Sequence, residues 1–573
     1  MPVAATALAP ILVGSAILFA LLIRALWQWF QPRPSWLDNP FVFFPLVAFA
    51  LLLLHWRWIT FSGELNNPDE SQFIAQAMRF MSHPVPWRDV DTNTSGPLNS
   101  LFLTVPLQLG APATWATARL VQWASLCLVL VFCHAALRGF GANAKIQLAL
   151  MPTIFLYGFA KDCELHAFSS ETLPVLLLSA CLGLLAWEWT ASRPSRVHLF
   201  FLGVLAGCVP FAKLQAAPIA VLLVALGFLV ALVKSRRELP LRAPFWPAVA
   251  MLVAGGLSVP LFIFLQVGTH GALGDFWKSY IVASASYAAG PAGSRFANLP
   301  GLFGNNDFTR YSFDMIAVSG LFVAAFLFRR NRLPGALIWP LLALVLVFVL
   351  SLVCVALPGR TLLHYLYLLV PALALVPGVV LFSCEAFLGS ESTQPSNRTP
   401  ALILCCGVLG AALLASQGHK ARVLMTDLRH RGLHPVHPTD ITVAAEITRL
   451  SHPGDTLSVW GWSPAYYLQT GMPPATRDSI SHYLISTNPC QDYFRARYLN
   501  DLKQVRPAFF VDAVASGVFL WDWSFSQTHE SFPELAEFIA ANYNLAASVA
   551  VIPDGRPVRI YMLKERAQLS NTP

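Results

Sequence analysis

The stretch ELNNPDESQFIAQAMRFMSHPVPWRDVDTNTSGPLN, residues 64–99, lies between two apolar segments that are each long enough to cross a membrane. Only 12% of the chain is charged, yet this stretch carries Asp69, Glu70, Asp89 and Asp91. The proline before Asp69 indicates a turn, and Asp69 fits the N-cap of a short helix over residues 71–82. The turn-rich end of the stretch then directs Asp91 back toward Asp69. These features predict a polar pocket at the boundary between water and lipid.

The helix predicted within this stretch is amphipathic. Its apolar side carries Phe73, Ala77, Phe80 and Met81. A short helix with one apolar side, placed directly after a membrane span, is typical of helices that lie along the bilayer surface. We therefore expect it to rest on the membrane beside the pocket.

Composition indicates that the chain is a polytopic membrane protein. It has 573 residues, 56% of them hydrophobic, and a mean hydropathy of +0.57, which is more apolar surface than a soluble globular protein needs. Runs long enough to span a bilayer predict about twelve transmembrane helices, near residues 10–30, 41–60, 113–137, 146–160, 172–190, 199–211, 216–233, 245–266, 311–328, 336–356, 362–388 and 401–416. The net charge of +8 fits cytoplasmic loops and membrane lipid headgroups, and no feature indicates nucleic acid.

Charged residues divide the connections between these spans into two sets. Basic residues fall in alternate connections, as at Arg138, Arg236 and Arg330, which predicts that these connections face the cytoplasm. Most acids fall in the opposite set, which includes the long loops 61–112 and 267–310. We therefore expect a multi-pass membrane protein with these loops and both termini on the outer side, in the periplasm or its equivalent.

The sequence changes character after residue 416. No later run is long enough to span a bilayer. Short patterns alternate instead, with helices near 441–450, 463–470, 492–505 and 533–544 and strands near 455–460, 508–512, 547–552 and 558–563. We therefore predict a transmembrane catalytic domain over residues 1–416 and a periplasmic α/β domain over residues 417–573.

Polar side chains recur at the outer ends of the spans, where burial is costly unless the group has a partner or a function. Besides the acidic stretch, they are Asp162, Glu164, His166, Lys213, Lys278, Arg360, His364 and Tyr365. A cation at this boundary can hold a phosphate diester, and arginine does so through two hydrogen bonds. A carboxylate across the pocket can take the proton of an incoming hydroxyl or amine. The arrangement suits transfer of a group from a lipid-linked phosphate.

Several motifs resemble the C-type glycosyltransferase (GT-C) superfamily. The resemblance rests on the Asp69-Glu70 pair after an early span, the helix that follows, the turn ending in Gly-Pro-Leu98, and the motif PGRTLLHY at 358–365. The chain is most similar in these features to dolichyl-phosphate-mannose–protein mannosyltransferases and lipid A aminoarabinose transferases. The segment 458–477 is similar to the outer domain of uncharacterised bacterial members.

The resemblance implies a polyprenyl-phosphate sugar donor, an inverting single displacement and a first-loop aspartate as general base. With it, we expect a glycosyltransferase that works at the outer face of a bacterial inner membrane. The catalytic candidates are Asp69, Glu70 and Asp91, with Asp69 as the base. The candidate contacts to the donor phosphate are Arg360, Lys213, His364 and Tyr365, and the candidate substrate contacts are Asp162, Glu164, His166 and Lys278. In one departure, the chain has TSGPL at 94–98 where aminoarabinose transferases have a Lys-Pro-Pro-Leu-like element, so an expected cation is missing.

Alternatives stay open at each level. Each candidate residue has a purely structural alternative. Asp69 would then only cap a helix, and Asp91 would only start a turn. Lys213 would only reach the lipid headgroups, and Arg360 would only anchor a helix end. At the level of function, the alternatives are a secondary transporter or flippase of lipid-linked sugars, and a polymerase or ligase of lipid-linked glycans. No motif requires a cofactor and no metal-ligand spacing occurs, but the acids leave room for a divalent cation. The acceptor is a glycan, a lipid or a protein.

Overall fold

The structure, a computed structural model, describes residues 2–30, 35–60, 67–140, 143–160, 162–237, 245–289, 299–304, 307–312, 315, 335–390, 438–518, 525–552 and 554–569. The part up to residue 390, here called the membrane part, is helical. Its helices are α1 (Pro2–Phe30), α2 (Pro40–Thr60), α3 (Pro68–Phe80), α4 (Pro97–Gln108), α5 (Trp115–Leu137), α6 (Asn143–Phe159), α7 (Thr172–Thr190), α8 (Arg196–Ala212), α9 (Ala217–Arg237), α10 (Phe245–Thr269), α11 (Leu273–Asp275), α12 (Ala283–Ala289), α13 (Leu299–Leu302), α14 (Gly335–Ala356) and α15 (Val370–Ser390).

Apolar helices occupy the predicted spans wherever the structure describes them. Among the described residues, six helices are long and apolar enough to cross a membrane, and four shorter apolar helices accompany them. The multi-pass architecture is therefore confirmed. The other two predicted spans, 311–328 and 401–416, lie outside the described residues, apart from 311, 312 and 315. The predicted domain boundary at residue 416 also lies outside them.

The first loop begins with α3, which differs from its prediction. The helix starts at Pro68, and its N-cap is Asn67, whose Oδ1 accepts the Asp69 N–H at 2.8 Å. Proline suits the first helical position, because its missing N–H would have no partner there. The apolar side is covered by protein, with Phe73 1% and Ala77 0% exposed, and packs against Leu103, Ala118 and Phe168. The prediction that Asp69 is the N-cap is therefore wrong. Protein, and not lipid, covers Phe73, Ala77 and Phe80 of the predicted apolar side, whereas Met81 is exposed.

The end of the first loop is fixed at the break between α8 and α9. Gly96 N–H donates to the Ala212 carbonyl at 3.0 Å, and Ser95 pairs with Lys213 in an antiparallel bridge. A Cβ on Gly96 would lie 1.7 Å from the Phe211 carbonyl oxygen, so the backbone can approach this closely only at a glycine. The loop therefore holds Lys213 in a defined position, at the outer turn where the sequence predicted an interruption.

The C-terminal domain has the α/β composition predicted for it. Its elements are α16 (Pro438–Leu450), β1 (Leu457–Trp460), α17 (Ala465–Thr470), α18 (His482–Ile485), α19 (Gln491–Val505), β2 (Phe509–Asp512), α20 (Pro533–Asn542), β3 (Tyr543–Val549), β4 (Val558–Leu563) and α21 (Lys564–Leu569). The strand order is β1-β2-β4-β3. β1 and β2 are parallel, and the other neighbouring pairs are antiparallel.

This sheet is covered on both faces because its side chains alternate in direction. Phe509 and Val511 belong to the core under α16 and α17, whereas Phe510 belongs to the core under α19 and α20. The first core includes Ala75 of α3, and the second includes Ala283 of α12. The C-terminal domain therefore packs directly on the loops that connect the membrane helices.

Candidate active site

A buried ion pair lies beside the N-terminus of α3. The Lys213 ammonium group pairs with Glu171, which directly precedes α7, and donates to Ser170 Oγ at 2.7 Å. The same ammonium lies 4.3 Å from the centre of the Tyr365 ring. Lys213 is 6% exposed and Glu171 is not exposed at all. Buried charges persist when they are paired, so the charge of Lys213 is already compensated.

His364 connects this pair to two further groups. Its backbone N–H donates to Glu164 Oε2 at 3.2 Å, and its ring Nδ1 lies 3.1 Å from the same oxygen. Its Nε2 lies 3.9 Å from Glu171 Oε2, and its Nδ1 lies 3.3 Å from Asn67 Nδ2. Because Asn67 is also the N-cap of α3, His364 fixes the start of that helix against the membrane part.

Asp69 faces this group from the first turn of α3. Its carboxylate interacts electrostatically with Lys213, His364, Glu164 and Glu171. Desolvation raises the pKa of Asp69, while the two basic side chains act in the opposite direction. The side chain is partly exposed. Within the described ranges its carboxylate accepts no hydrogen bond, unlike the two glutamates.

Arg360 is exposed and lies at the edge of the same group of side chains, which is here called the pocket. Its guanidinium carbon is 5.1 Å from the centre of the Tyr287 ring. The Tyr287 hydroxyl is 3.3 Å from the Tyr365 hydroxyl, which connects the guanidinium to the buried ion pair through two aromatic rings. No carboxylate in the part of the chain that the structure describes forms an ion pair with Arg360. Its charge is therefore available to an anionic ligand.

Solved structures share this architecture. The chain resembles ArnT, the lipid A aminoarabinose transferase, from Cupriavidus metallidurans, in the apo state with a TM-score of 0.56 and bound to undecaprenyl phosphate with a TM-score of 0.55. Both comparisons give 13% identity over 91% of this chain, and they cover 98% and 97% of ArnT. The chain has a GT-C fold. No protein-family model and no curated protein matches the sequence.

The chain also shows a weaker structural similarity to the archaeal oligosaccharyltransferase AglB from Archaeoglobus fulgidus. The structure of AglB with an inhibitory peptide and a dolichol-phosphate gives a TM-score of 0.46 at 10% identity. That comparison covers 84% of this chain and 70% of AglB.

Glu70, a predicted catalytic residue of the GT-C chain, lies in a second buried ion pair. Arg119 Nη2 donates to Glu70 Oε2 at 2.7 Å, and Arg119 Nη1 donates to the Trp58 carbonyl at 2.8 Å. The Phe168 N–H donates to Glu70 Oε1 at 3.0 Å. Burial raises the pKa of Glu70, and Arg119 opposes that effect. With both carboxylate oxygens bonded, the placement favours an anchoring role for Glu70 and leaves Asp69 as the candidate base.

Asp91 lies where the first loop meets the C-terminal domain. Arg497 Nη2 donates to Asp91 Oδ2 and to Asp478 Oδ1, each at 2.6 Å, and all three side chains are at most 5% exposed. We call Asp91, Asp478 and Arg497 the interdomain latch. The Asp91 N–H also donates to the Arg477 carbonyl at 2.9 Å. The structure therefore places Asp91 in a contact between domains, and not in the group around Asp69.

The other predicted substrate contacts are dispersed. His166 is buried in the GT-C membrane part, where its ring stacks on Trp58 at 5.1 Å. Lys278 lies over the ring of Tyr493, a residue of the C-terminal domain, at 4.2 Å. Asp162 precedes a short 3-10 turn over Cys163–Leu165. Asp162 interacts electrostatically with Tyr367, as do Glu164 and Glu171 of the pocket, whereas the contacts described for His166 and Lys278 lie elsewhere.

A possible divalent cation has one candidate site among the described residues, and it is remote from this pocket. Asp512, His529 and Glu530 of the C-terminal domain place ligand atoms within 4.8 Å of one another. Arg559 Nη2 already donates to Asp512 Oδ2 at 2.7 Å and to Glu530 Oε2 at 2.6 Å, and Arg556 lies 3.5 Å from Asp512. A hard cation needs those oxygens, so the residues present do not fit one.

Sequence analysis of this GT-C chain missed several residues of the site. Glu171 could have been selected from the sequence, because a carboxylate directly before an apolar span needs a partner. Arg119 could have been selected in the same way, because it is a charged residue within the apolar helix α5. No sequence feature marks Tyr287 as functional, since isolated tyrosines are common in loops. No sequence feature marks Arg497 either, because its partner Asp91 lies 406 positions earlier in the chain.

Proposed function

We propose that this protein is an integral-membrane glycosyltransferase that moves a sugar from a polyprenyl-phosphate donor to a glycan, lipid or protein acceptor. One observation carries the proposal: among the described residues, Asp69 is a carboxylate that accepts no hydrogen bond, Arg360 is a cation without an ion-pair partner, and both interact electrostatically with Tyr287. The GT-C fold supports the reaction class, and the neighbouring ArnT structure holds undecaprenyl phosphate.

The proposed step is an inverting single displacement. The oxygen or nitrogen of the acceptor forms a bond to the anomeric carbon of the sugar while the bond from that carbon to the phosphate oxygen breaks. Asp69 takes the acceptor's proton, and the polyprenyl phosphate leaves with the electron pair. A desolvated carboxylate with a raised pKa is a stronger base than an ordinary aspartate, which suits it to this role.

The two cations have different parts in this proposal. Arg360 holds the donor phosphate and stabilises the negative charge that grows on it as the sugar departs. Lys213 is already bonded to Glu171 and Ser170, so it shapes the pocket and supports the Tyr365 ring. The resemblance implied that both cations contact the phosphate, whereas the contacts of Lys213 with Glu171 and Ser170 favour Arg360 as the main phosphate ligand.

Replacing Arg360 tests the phosphate contact. We expect Arg360→Ala to weaken the binding of undecaprenyl phosphate by about 10- to 100-fold, because a hydrogen bond to a charged group is worth about 1.5–3 kcal/mol. Arg360→Lys should recover part of the affinity, since lysine cannot form the forked contact. Titration calorimetry of the purified protein in detergent measures both. Arg449→Ala is the control, because Arg449 is exposed and pairs with Glu446. Wild-type affinity in Arg360→Ala would remove Arg360 from the site.

The donor can be identified in cells. A strain that lacks the protein should accumulate the polyprenyl-phosphate sugar that the protein normally consumes, and lipid extraction with mass spectrometry would reveal its mass. Restoring the wild-type gene should remove the excess lipid, whereas the Asp69→Asn gene should not. If no lipid-linked sugar accumulates, the proposed donor class is wrong.

The proposed orientation places the C-terminal domain in the periplasm and the basic connections in the cytoplasm. Cysteine introduced at Asn500 should react with a membrane-impermeant maleimide in cells whose inner membrane is intact. Cysteine introduced at Arg236 should react only after that membrane is permeabilised. Both positions are exposed, so access does not limit the reaction, and protein without the added cysteine gives the background. The opposite labelling pattern would reverse the orientation.

A further inference from the structure

A short segment of the C-terminal domain faces Arg360. The segment contains α18 and is held to the domain by Ser481, whose N–H donates to the Gly461 carbonyl at 2.9 Å. His482 interacts electrostatically with Arg360, and its ring lies 5.3 Å from the Trp462 ring. Burial, together with Arg360, lowers the pKa of His482 to about 4. His482 is therefore neutral at physiological pH and leaves the charge of Arg360 uncompensated.

Tyr483, the next residue, carries a buried hydroxyl group that lacks a partner. The side chain is 5% exposed, and its ring stacks on Phe494 at a centroid distance of 5.2 Å. Within the described ranges, the hydroxyl has no hydrogen-bond partner. Leaving a buried hydroxyl unsatisfied is unfavourable, so such a group in a folded protein requires an explanation. A bound ligand that completes the hydrogen bond is one explanation.

Tyr287 connects this hydroxyl to the pocket. It interacts with the Tyr483 phenol on one side and with Arg360, Asp69 and Glu171 on the other. Tyr287 is itself half-buried, and the Arg360 guanidinium lies over its ring. Tyr287 thus contacts Arg360 directly and lies within electrostatic range of the Tyr483 phenol.

We propose that Tyr483 of the C-terminal domain recognises the sugar of the lipid-linked donor, donating its phenolic hydrogen to an oxygen of that sugar beside the Tyr287 ring. This inference rests on the function proposed above. The donor's sugar is the expected ligand, because a sugar bonded directly to a phosphate that Arg360 holds would lie next to Tyr287. An aromatic ring beside a hydrogen-bond donor presents both an apolar face and a polar contact, and a sugar ring needs both.

The protonation state of Tyr483 is consistent with this role. Burial raises the pKa of Tyr483, and the carboxylate of Asp91 acts in the same direction. The phenol therefore keeps its proton and can donate it in a hydrogen bond.

The test compares lipids with and without a sugar. Wild-type protein and Tyr483→Phe, purified in detergent, are titrated with undecaprenyl phosphate and with its glucose, mannose, galactose, arabinose and 4-amino-arabinose derivatives. We expect Tyr483→Phe to bind undecaprenyl phosphate like wild type, and to bind the derivative preferred by wild type about 3- to 10-fold more weakly, the effect of one hydrogen bond.

Tyr543→Phe is the matched control, because Tyr543 is a buried tyrosine of the same domain whose hydroxyl already donates to the Pro507 carbonyl at 2.9 Å. This control should leave the preference between sugars unchanged. If Tyr483→Phe binds every derivative like wild type, an ordered water satisfies the hydroxyl and the inference is wrong, although the proposed function stands. If wild type binds none of these lipids, the proposed function fails as well. Melting curves of Tyr483→Phe and Tyr543→Phe would show whether either change acts through folding.

Discussion

Asp69→Asn is expected to fold, to insert and to bind the lipid donor, while its transfer rate falls by about 10²–10⁴-fold, the usual cost of losing a general base. The amide preserves the shape of the side chain but cannot accept the acceptor's proton. Of the three carboxylates in the pocket, Glu171 is bonded to Lys213 and Glu164 is bonded to His364. Asp69 accepts no such bond within the described ranges, so it is the group that an incoming hydroxyl can reach.

The measurement is transfer from the lipid-linked sugar by purified protein, with donor binding measured in parallel. Glu164→Gln is the matched comparison, because it changes the next most accessible carboxylate of the same pocket. Glu164 supports His364, so its loss should reduce the rate less than Asp69→Asn does. If Glu164→Gln is inactive and Asp69→Asn transfers at the wild-type rate, the two residues exchange roles. If both variants stay active, the pocket is not the catalytic site.

The protonation state of Asp69 should also make the transfer rate depend on pH. Burial raises the pKa of Asp69 above the usual value for an aspartate. The active form is the deprotonated carboxylate, so the rate should rise with pH as Asp69 loses its proton, and this rise should occur at a higher pH than an exposed aspartate would give. Asp69→Asn should lose this acid limb in any residual activity.

Arg497→Leu is expected to destabilise the protein by about 3–5 kcal/mol, the usual cost of removing one partner from a buried ion pair. Arg497 is bonded to Asp91 and Asp478 at once, and without it both carboxyl groups would remain buried without a cation. Thermal unfolding of the detergent-purified protein, followed by its tryptophan fluorescence, measures the loss. Asp478→Asn should destabilise the protein much less, because Arg497 remains paired with Asp91. In addition, burial already raises the pKa of Asp478 to about 7.

A control and a rescue separate this mechanism from a general effect of losing an arginine. Arg449→Leu removes an exposed arginine from the same domain, and it should leave the unfolding temperature almost unchanged. The double variant Arg497→Leu/Asp91→Asn should recover part of the lost stability, since one uncompensated buried charge is gone. If Arg449→Leu and Arg497→Leu have equal effects, the latch does not hold the domains together.

The fold was predictable from the sequence because its signals are local. Long apolar runs determine where helices can cross a bilayer, and the alternation of helix and strand patterns after residue 416 indicated the α/β domain. The cover of the apolar side of α3 was predicted wrongly for a related reason. An apolar side such as that of Phe73 shows that α3 is covered, but it does not show whether lipid or protein covers it. Here the cover is Phe168 and its neighbours.

The pocket was only partly predictable because its contacts are non-local. Asp69, Lys213, His364 and Arg360 could be selected because charged groups at the ends of spans are costly. Their pairing could not be read in the same way, since it depends on which helices are neighbours. That pairing distinguishes Lys213, which Glu171 neutralises, from Arg360, which has no carboxylate partner among the described residues.

The interdomain latch also bears on the order of events during synthesis. Asp91 leaves the ribosome 406 residues before Arg497, which at about 5–20 residues per second is a delay of roughly 20–80 s. During that interval the apolar helices can insert, but Asp91 has no ion-pair partner. A chain that stops before Arg497 would therefore enter the membrane without the interdomain latch. The newly made protein can therefore complete the interdomain latch only when its last domain has folded, whereas the charged group around Asp69 needs only residues up to His364.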